Sequence, residues 1–122
     1  MIGFILIHRK ITDNWLWLSE PFTKSQAWID LLLLANHAPG TFFIRGVPIE
    51  VKRGQLARSE EALAQRYKWS KNKLRKFLKL LEKGQQIKLQ RSNIINLIEI
   101  INYDSYQKVT DKRYNKKTTE GT

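Results

Sequence analysis

The segment 70–84 constrains the fold most, because its apolar and basic residues separate onto two sides when it is drawn as a helix. Ser70 is a suitable N-cap, and Gly84 is expected to close the helix. At 100° per residue, Phe77, Leu78 and Leu81 fall within about 60° of Leu74 and form one side. The opposite side holds Asn72, Lys76, Lys79 and Lys83. The segment therefore predicts a helix that packs on a core with one face and presents positive charge on the other.

The outer face of this predicted helix contains no acidic residue. Solvated helix faces commonly mix acids and bases, and like charges three or four residues apart cost about 0.2–0.5 kcal/mol per pair in an isolated helix. A stripe that repeats this cost is best explained by an anionic partner. A plain solvated face is the alternative interpretation.

The charge of the whole chain is also one-sided. The net charge is +11, and residues 68–122 hold fourteen basic and five acidic residues, against eight and six in residues 1–67. Such a field favours a polyanionic partner, nucleic acid before anionic membrane. The chain has no cysteine, and neither a signal peptide nor a membrane-spanning run is recognisable. We therefore expect a cytoplasmic, nucleoid-associated protein with no membrane partner.

The amino-terminal third predicts a strand at residues 2–7 and one long helix. Thr23 and Gln26 match a capping box, and the helix is expected to run to about Asn36. Ile29 and Leu33 form a second apolar ridge on it, which needs a second partner. That partner is either the amino-terminal arm or another copy of the chain, and we expect a homodimer.

The rest of the chain alternates β-rich and helical segments. Residues 41–56 predict a β-hairpin, residues 59–67 a short helix capped by Ser59, and the residues around Trp69 a tight break before the basic helix. A second hairpin follows, with Arg91, Ser92 and Asn93 at its tip. We predict one domain over residues 1–107 and a basic disordered tail over residues 108–122.

A short helix, a three-residue break, a basic helix and a β-hairpin follow one another in the order of a winged helix-turn-helix. We therefore predict an α+β winged helix-turn-helix with an extra β-hairpin between the first and second helices. The second helix of such a unit enters the major groove of double-stranded DNA. Asn72 suits adenine, and Arg75 suits guanine or phosphate. The predicted DNA-binding residues are Ser70, Lys71, Asn72, Lys73, Arg75, Lys76, Lys79, Lys83, Lys88, Arg91 and Asn93.

No pattern in the chain predicts catalysis. His8 and His37 are isolated from other metal-ligand side chains, and Ser70 with Lys73 matches an acyl-enzyme motif that has no companion elsewhere. No glycine-rich phosphate loop is present. We expect a non-enzymatic protein with no catalytic residue, no metal and no cofactor.

The segment "SEEALAQRYKWSKNKLRKFLKLLEKGQQIKLQ" and the later "IEIINYDSYQ" resemble the winged-helix domain of phage and mobile-element replication proteins, the replisome-organiser or DnaD-type amino-terminal domains. "WIDLLLLANHAPG" and "RGVPIEVKRGQL" extend the resemblance over about residues 4–107. One departure is visible, because such domains usually read Leu-Glu-Lys-x-Gly before the wing, whereas here Gly84 follows Lys83 directly.

The resemblance implies replication initiation for a phage or other mobile element, with a helicase loader or another replication protein as a possible partner. Two alternatives remain open. One is a transcriptional regulator of a mobile element. The other is a protein-interaction adaptor whose winged helix no longer binds DNA, and the basic stripe argues against it.

Overall fold

The computed structural model describes residues 3–92 and 95–107, which form a mixed α+β structure. Its helices are α1 (Lys24–Leu34), α2 (Glu60–Tyr67), α3 (Lys71–Lys83) and α4 (Tyr103–Gln107), preceded by a 3-10 helix, η1 (Arg9–Asp13). The strands are β1 (Gly40–Ile44), β2 (Val47–Val51), β3 (Gln55–Arg58), β4 (Ile87–Gln90) and β5 (Asn96–Ile100). They form two antiparallel sheets, β1-β2 and β3-β5-β4.

The three longer helices begin at the hydroxyl residues that the sequence indicates. The side chains of Thr23, Ser59 and Ser70 each accept a hydrogen bond from the backbone N–H three residues later, at 3.2, 3.0 and 3.1 Å. The capping box at α1 is only half formed. Gln26 Nε2 donates to the carbonyl of Trp17 at 2.8 Å, so this side chain ties α1 to the preceding turn.

The predicted extra hairpin is present between α1 and α2. β1 and β2 pair from Gly40 opposite Val51 to Ile44 opposite Val47. The two connecting residues, Arg45 and Gly46, have φ angles of 51° and 78°. A two-residue turn with both φ angles positive matches the right-handed twist of the strands it joins.

The core lies between the three-stranded sheet and the helices. Leu56, Ile87 and Ile98, one from each strand, are almost fully buried. They belong to one apolar cluster with Leu63 of α2 and Leu74 of α3. The sheet therefore holds the basic helix by its apolar face.

Tyr103, the first residue of α4, is buried against the turn before β3. A side-chain carbon on Gly54 (φ 82°) would lie 2.9 Å from Cβ of Tyr103, so only glycine allows this approach. Arg9 Nη2 donates to the Tyr103 hydroxyl at 2.8 Å, and the Arg53 guanidinium lies 5.0 Å from the ring centroid. The amino-terminal and carboxyl-terminal parts of the described chain are thereby joined.

The strand predicted for residues 2–7 does not form in its described part, residues 3–7. Ile5 is 87% exposed and Leu6 62%. A strand needs the backbone of a neighbouring strand for its hydrogen bonds, and within the described residues no strand lies alongside this segment. The apolar pattern alone could not reveal this.

The two residues predicted for oligomerisation lie in different environments. Ile29 is 42% exposed, but Leu33 is 8% exposed and therefore lies inside the protomer. η1 packs against α1, and Arg9 Nε donates to the carbonyl of Leu33 at 3.0 Å. The amino-terminal part thus contributes to the packing of α1, which removes Leu33 from the surface offered to a second copy.

Within the ranges given above, no helix is long and apolar enough to cross a membrane. The same residues contain no group of three or more histidine, aspartate or glutamate side chains placed to hold a metal ion.

Candidate nucleic-acid interface

The turn between α2 and α3 is held rigidly. Lys68 adopts the left-handed conformation, with φ 59°, that ends α2. The next residue, Trp69, is buried, and its indole Nε1 donates to the carbonyl of Phe22 at 2.8 Å. Its ring packs edge-on against Tyr67 and Phe77, with centroids 5.2 and 5.1 Å apart. Trp69 is thus a core residue, and its packing fixes how α3 leaves α2.

α3 divides into the two faces that the sequence predicts. Leu74, Phe77 and Leu78 are at most 2% exposed. The four predicted outer residues, Asn72, Lys76, Lys79 and Lys83, are all exposed, and so is Lys71 in the first turn. Within residues 3–92 and 95–107, none of these five side chains forms an ion pair or hydrogen bond. Their charges and their amide are therefore available to a partner.

Three other predicted site residues have partners inside the chain. The Ser70 hydroxyl serves as the cap of α3, as described above. The Lys73 ammonium lies 4.7 Å from the centroid of the Trp69 ring. Arg75 Nε donates to Oε1 of Glu60 at 2.9 Å. These contacts hold the charged groups of Lys73 and Arg75 in defined positions, whereas the outer lysines have no such contact within the described part of the chain.

Glu60 is a functional candidate that sequence reasoning missed. It is the first residue of α2, where the helix dipole favours an acid, and that role explains its presence in the sequence without further assumption. Its contact with Arg75 depends on how α2 and α3 cross. Their sequence separation of fifteen residues carries no signal for it.

The predicted wing residues separate in space. Arg91, in the turn after β4, lines one surface depression together with Arg75 and Lys79 of α3. Lys88 lies opposite Glu99 of β5, on the sheet face that points away from the core. Asn93 lies outside the described residues. The structure therefore joins Arg91 to the basic helix and leaves Lys88 on a different surface.

No family model, curated protein or solved structure matches the chain in comparisons with known proteins. The resemblance to replication proteins accordingly stays an interpretation of the sequence motifs.

Proposed function

We propose that this chain is a non-catalytic, double-stranded DNA-binding protein built as a winged helix-turn-helix with an inserted hairpin. The element order α1, β3, α2, α3, β4, β5 supports this fold, as does the antiparallel sheet order β3-β5-β4. In this proposal α3 is the recognition helix, and the β4–β5 turn is the wing.

The exposed outer face of α3 carries the proposal. Its lysines have no acidic partner among the described residues, and the helix is fixed from behind by Leu74 and Phe77. Uncompensated cations along a fixed helix suit the DNA backbone, because each phosphate that a lysine neutralises releases a counterion. Lys76, Lys79 and Lys83 are therefore assigned to phosphates.

The first turn of α3 is assigned to base recognition, because the amino-terminal residues of a recognition helix meet base edges. Lys71 and Asn72 lie in this turn and are exposed. An asparagine amide donates to and accepts from adenine at the same time, which a lysine cannot do. Arg91 in the wing adds a backbone or minor-groove contact.

We further propose a role in replication initiation of a phage or other mobile element, with association with the nucleoid and with a helicase loader or similar replication protein. The motifs quoted above support this role. Bound sites that repeat within a replication origin would favour it. Sites that overlap a promoter would favour the regulator.

Base readout and general attraction can be separated with two single variants on α3. Sites are first selected from random duplex DNA, and binding is then measured by fluorescence anisotropy on a selected and a scrambled duplex. Asn72→Ala should lose preference for the selected duplex by about 1–3 kcal/mol, because a bidentate base contact is removed.

The matched control is Lys79→Ala, which should weaken binding to both duplexes about equally, because phosphates are present in every sequence. If Asn72→Ala weakens binding to both duplexes equally, Asn72 reads no base. Absence of duplex binding by the wild type would overturn the proposed function.

A further inference from the structure

The ion pair between Glu60 and Arg75 lies on the proposed DNA-facing side of the α2–α3 unit. Arg75 Nε donates to Glu60 Oε1 at 2.9 Å, with the Arg75 side chain 54% exposed and that of Glu60 19% exposed. The two residues line the same depression as Lys79 and Arg91. Glu82 lines this depression as well. Acidic side chains thus lie within a basic surface, where they would repel phosphates, and Glu60 is the one that pairs with Arg75.

Glu60 is a well-fixed acceptor. It occupies the first position of α2, directly after the N-cap Ser59, and most of its side chain is covered. Arg75 alone would be mobile, since an arginine side chain has many accessible rotamers. Holding Nε on a fixed carboxylate restricts the guanidinium before any partner arrives. Less ordering is then needed when DNA binds.

The donor inventory of Arg75 shows what remains available. A guanidinium has five N–H donors, one on Nε and two on each Nη nitrogen. Glu60 engages Nε, and within residues 3–92 and 95–107 the Nη1 and Nη2 groups of Arg75 have no hydrogen-bond partner. The free Nη1–Nη2 edge has the fork geometry that donates to O6 and N7 of guanine.

We propose that Glu60 is a positioning residue for specificity, which holds Arg75 so that its terminal edge reads a guanine in the major groove. The inference rests on the proposed function and names one base that the interface reads. The proposal also accounts for the presence of Glu60 on a basic surface. Glu60 repels phosphates, and this unfavourable term is offset where the Arg75 side chain that it holds contacts a base.

Removal of the Glu60 carboxylate should therefore have different effects on two measured quantities, the binding to scrambled duplex and the preference for guanine. Glu60→Ala should leave binding to scrambled duplex unchanged or raise it, because an anionic group leaves the surface. The same variant should lose preference for guanine at one position of the selected site. Arg75→Ala should lose that preference by about 5- to 150-fold, the range for a bidentate base contact, and Glu60→Ala should lose part of it.

The experiment repeats the selection from random duplex DNA with wild type, Arg75→Ala, Glu60→Ala, Glu60→Gln and Glu61→Ala, followed by anisotropy on the selected and scrambled duplexes. Glu61→Ala is the matched control, because it removes the same charge from the same helical turn without touching Arg75. It should keep the guanine preference. Glu60→Gln keeps an oxygen that can accept from Nε and should retain most of it.

The outcomes are distinguishable. A guanine preference that is undiminished in Glu60→Ala overturns the inference. An equal loss of binding to both duplexes together with a lower melting temperature also overturns it, because that result would indicate a structural role. A wild type that binds duplex without preferring guanine anywhere overturns the inference and leaves the proposed function standing. A wild type that does not bind duplex overturns both.

Discussion

At the scale of single residues, the end of α3 places a residue with a side chain in the left-handed position that glycine usually takes. Gly84 has φ −79°, and the left-handed residue is Gln85, with φ 60°. The N–H of Gln85 donates to the carbonyl of Glu82 at 3.1 Å, and that of Gln86 donates to Leu81 at 2.8 Å. These bonds form a Schellman motif, in which glycine normally takes the left-handed position. The expectation that the helix ends at about Lys83 and is closed by Gly84 is confirmed, and the left-handed residue is the next one, Gln85.

Because Gln85 has a left-handed conformation, Gln85→Gly should stabilise the protein. The left-handed conformation costs a residue with a side chain about 1–2 kcal/mol, and the greater freedom of glycine in the unfolded chain offsets part of the gain. We expect the free energy of unfolding to rise by about 0.5–1 kcal/mol, measured by urea denaturation. Gln86→Gly is the control and should lower it, because Gln86 does not have a positive φ. A fall in both variants would contradict the prediction.

At the scale of elements, a buried ion pair joins α1 to α2. Asp30 is fully buried, and its two carboxylate oxygens accept from Nε and Nη2 of Arg66 at 2.8 Å each. Trp17 Nε1 donates to the same carboxylate at 2.9 Å, and Arg66 Nη2 also donates to the carbonyl of Thr12. Hydrogen bonding to Asp30 raises the pKa of Arg66, and burial raises that of the adjacent Tyr67 well above its usual value. This pair holds the amino-terminal turns against α1 and α2.

Loss of one partner of this pair should be strongly destabilising. Asp30→Ala leaves the Arg66 guanidinium half-buried without its counter-ion, and we expect a loss of about 3–5 kcal/mol in the free energy of unfolding. The double variant Asp30→Ala with Arg66→Ala should lose less than the two single variants added together, because no unpaired charge remains. Thermal and urea unfolding measure this. Additive losses would mean that the pair is not coupled.

At the scale of the whole molecule, the affinity for DNA should come mainly from the folded part. If about six phosphates are neutralised per protomer, log K should fall against log salt with a slope near −5. Residues 108–122 carry five basic and two acidic residues and lie outside the described residues. The sequence predicts a disordered tail there, and ordering such a segment opposes binding.

Deletion of residues 108–122 should therefore reduce the salt slope by only about one or two. Anisotropy titrations at several salt concentrations compare the two proteins. A tailless protein that no longer binds duplex would show that the folded part is not the DNA-binding element.

The proposed homodimer can be tested through the two ridge residues of α1. Because Ile29 is exposed and Leu33 is buried, Ile29→Glu should stay folded and dissociate a dimer in sedimentation experiments. Leu33→Glu should instead lower the melting temperature, since it puts a charge into the protomer. A dimer that persists in Ile29→Glu would exclude this ridge as the interface.

Much of the local structure follows from the sequence alone. Hydroxyl residues at 23, 59 and 70 begin helices because each needs only the amides of the next turn. The two faces of α3 follow from helical periodicity, since Leu74 and Lys76 point apart whatever surrounds them. The order of helices and hairpins, and the basic outer face, were predictable for these reasons.

Tertiary structure decided what each element contacts. The apolar ridge on α1 was predicted to need a second partner. In the folded chain η1 packs against α1, Leu33 is buried and Ile29 stays exposed. Residues 3–7 have the composition of a strand, but no neighbouring strand is available to them. Arg75 was predicted to contact guanine or phosphate, and the crossing of α2 and α3 also brings Glu60 to it. Periodicity in the sequence indicates which side of an element is apolar or charged. The contact partner of a side chain fifteen or more residues away depends on how the elements are oriented, and only the folded chain determines that orientation.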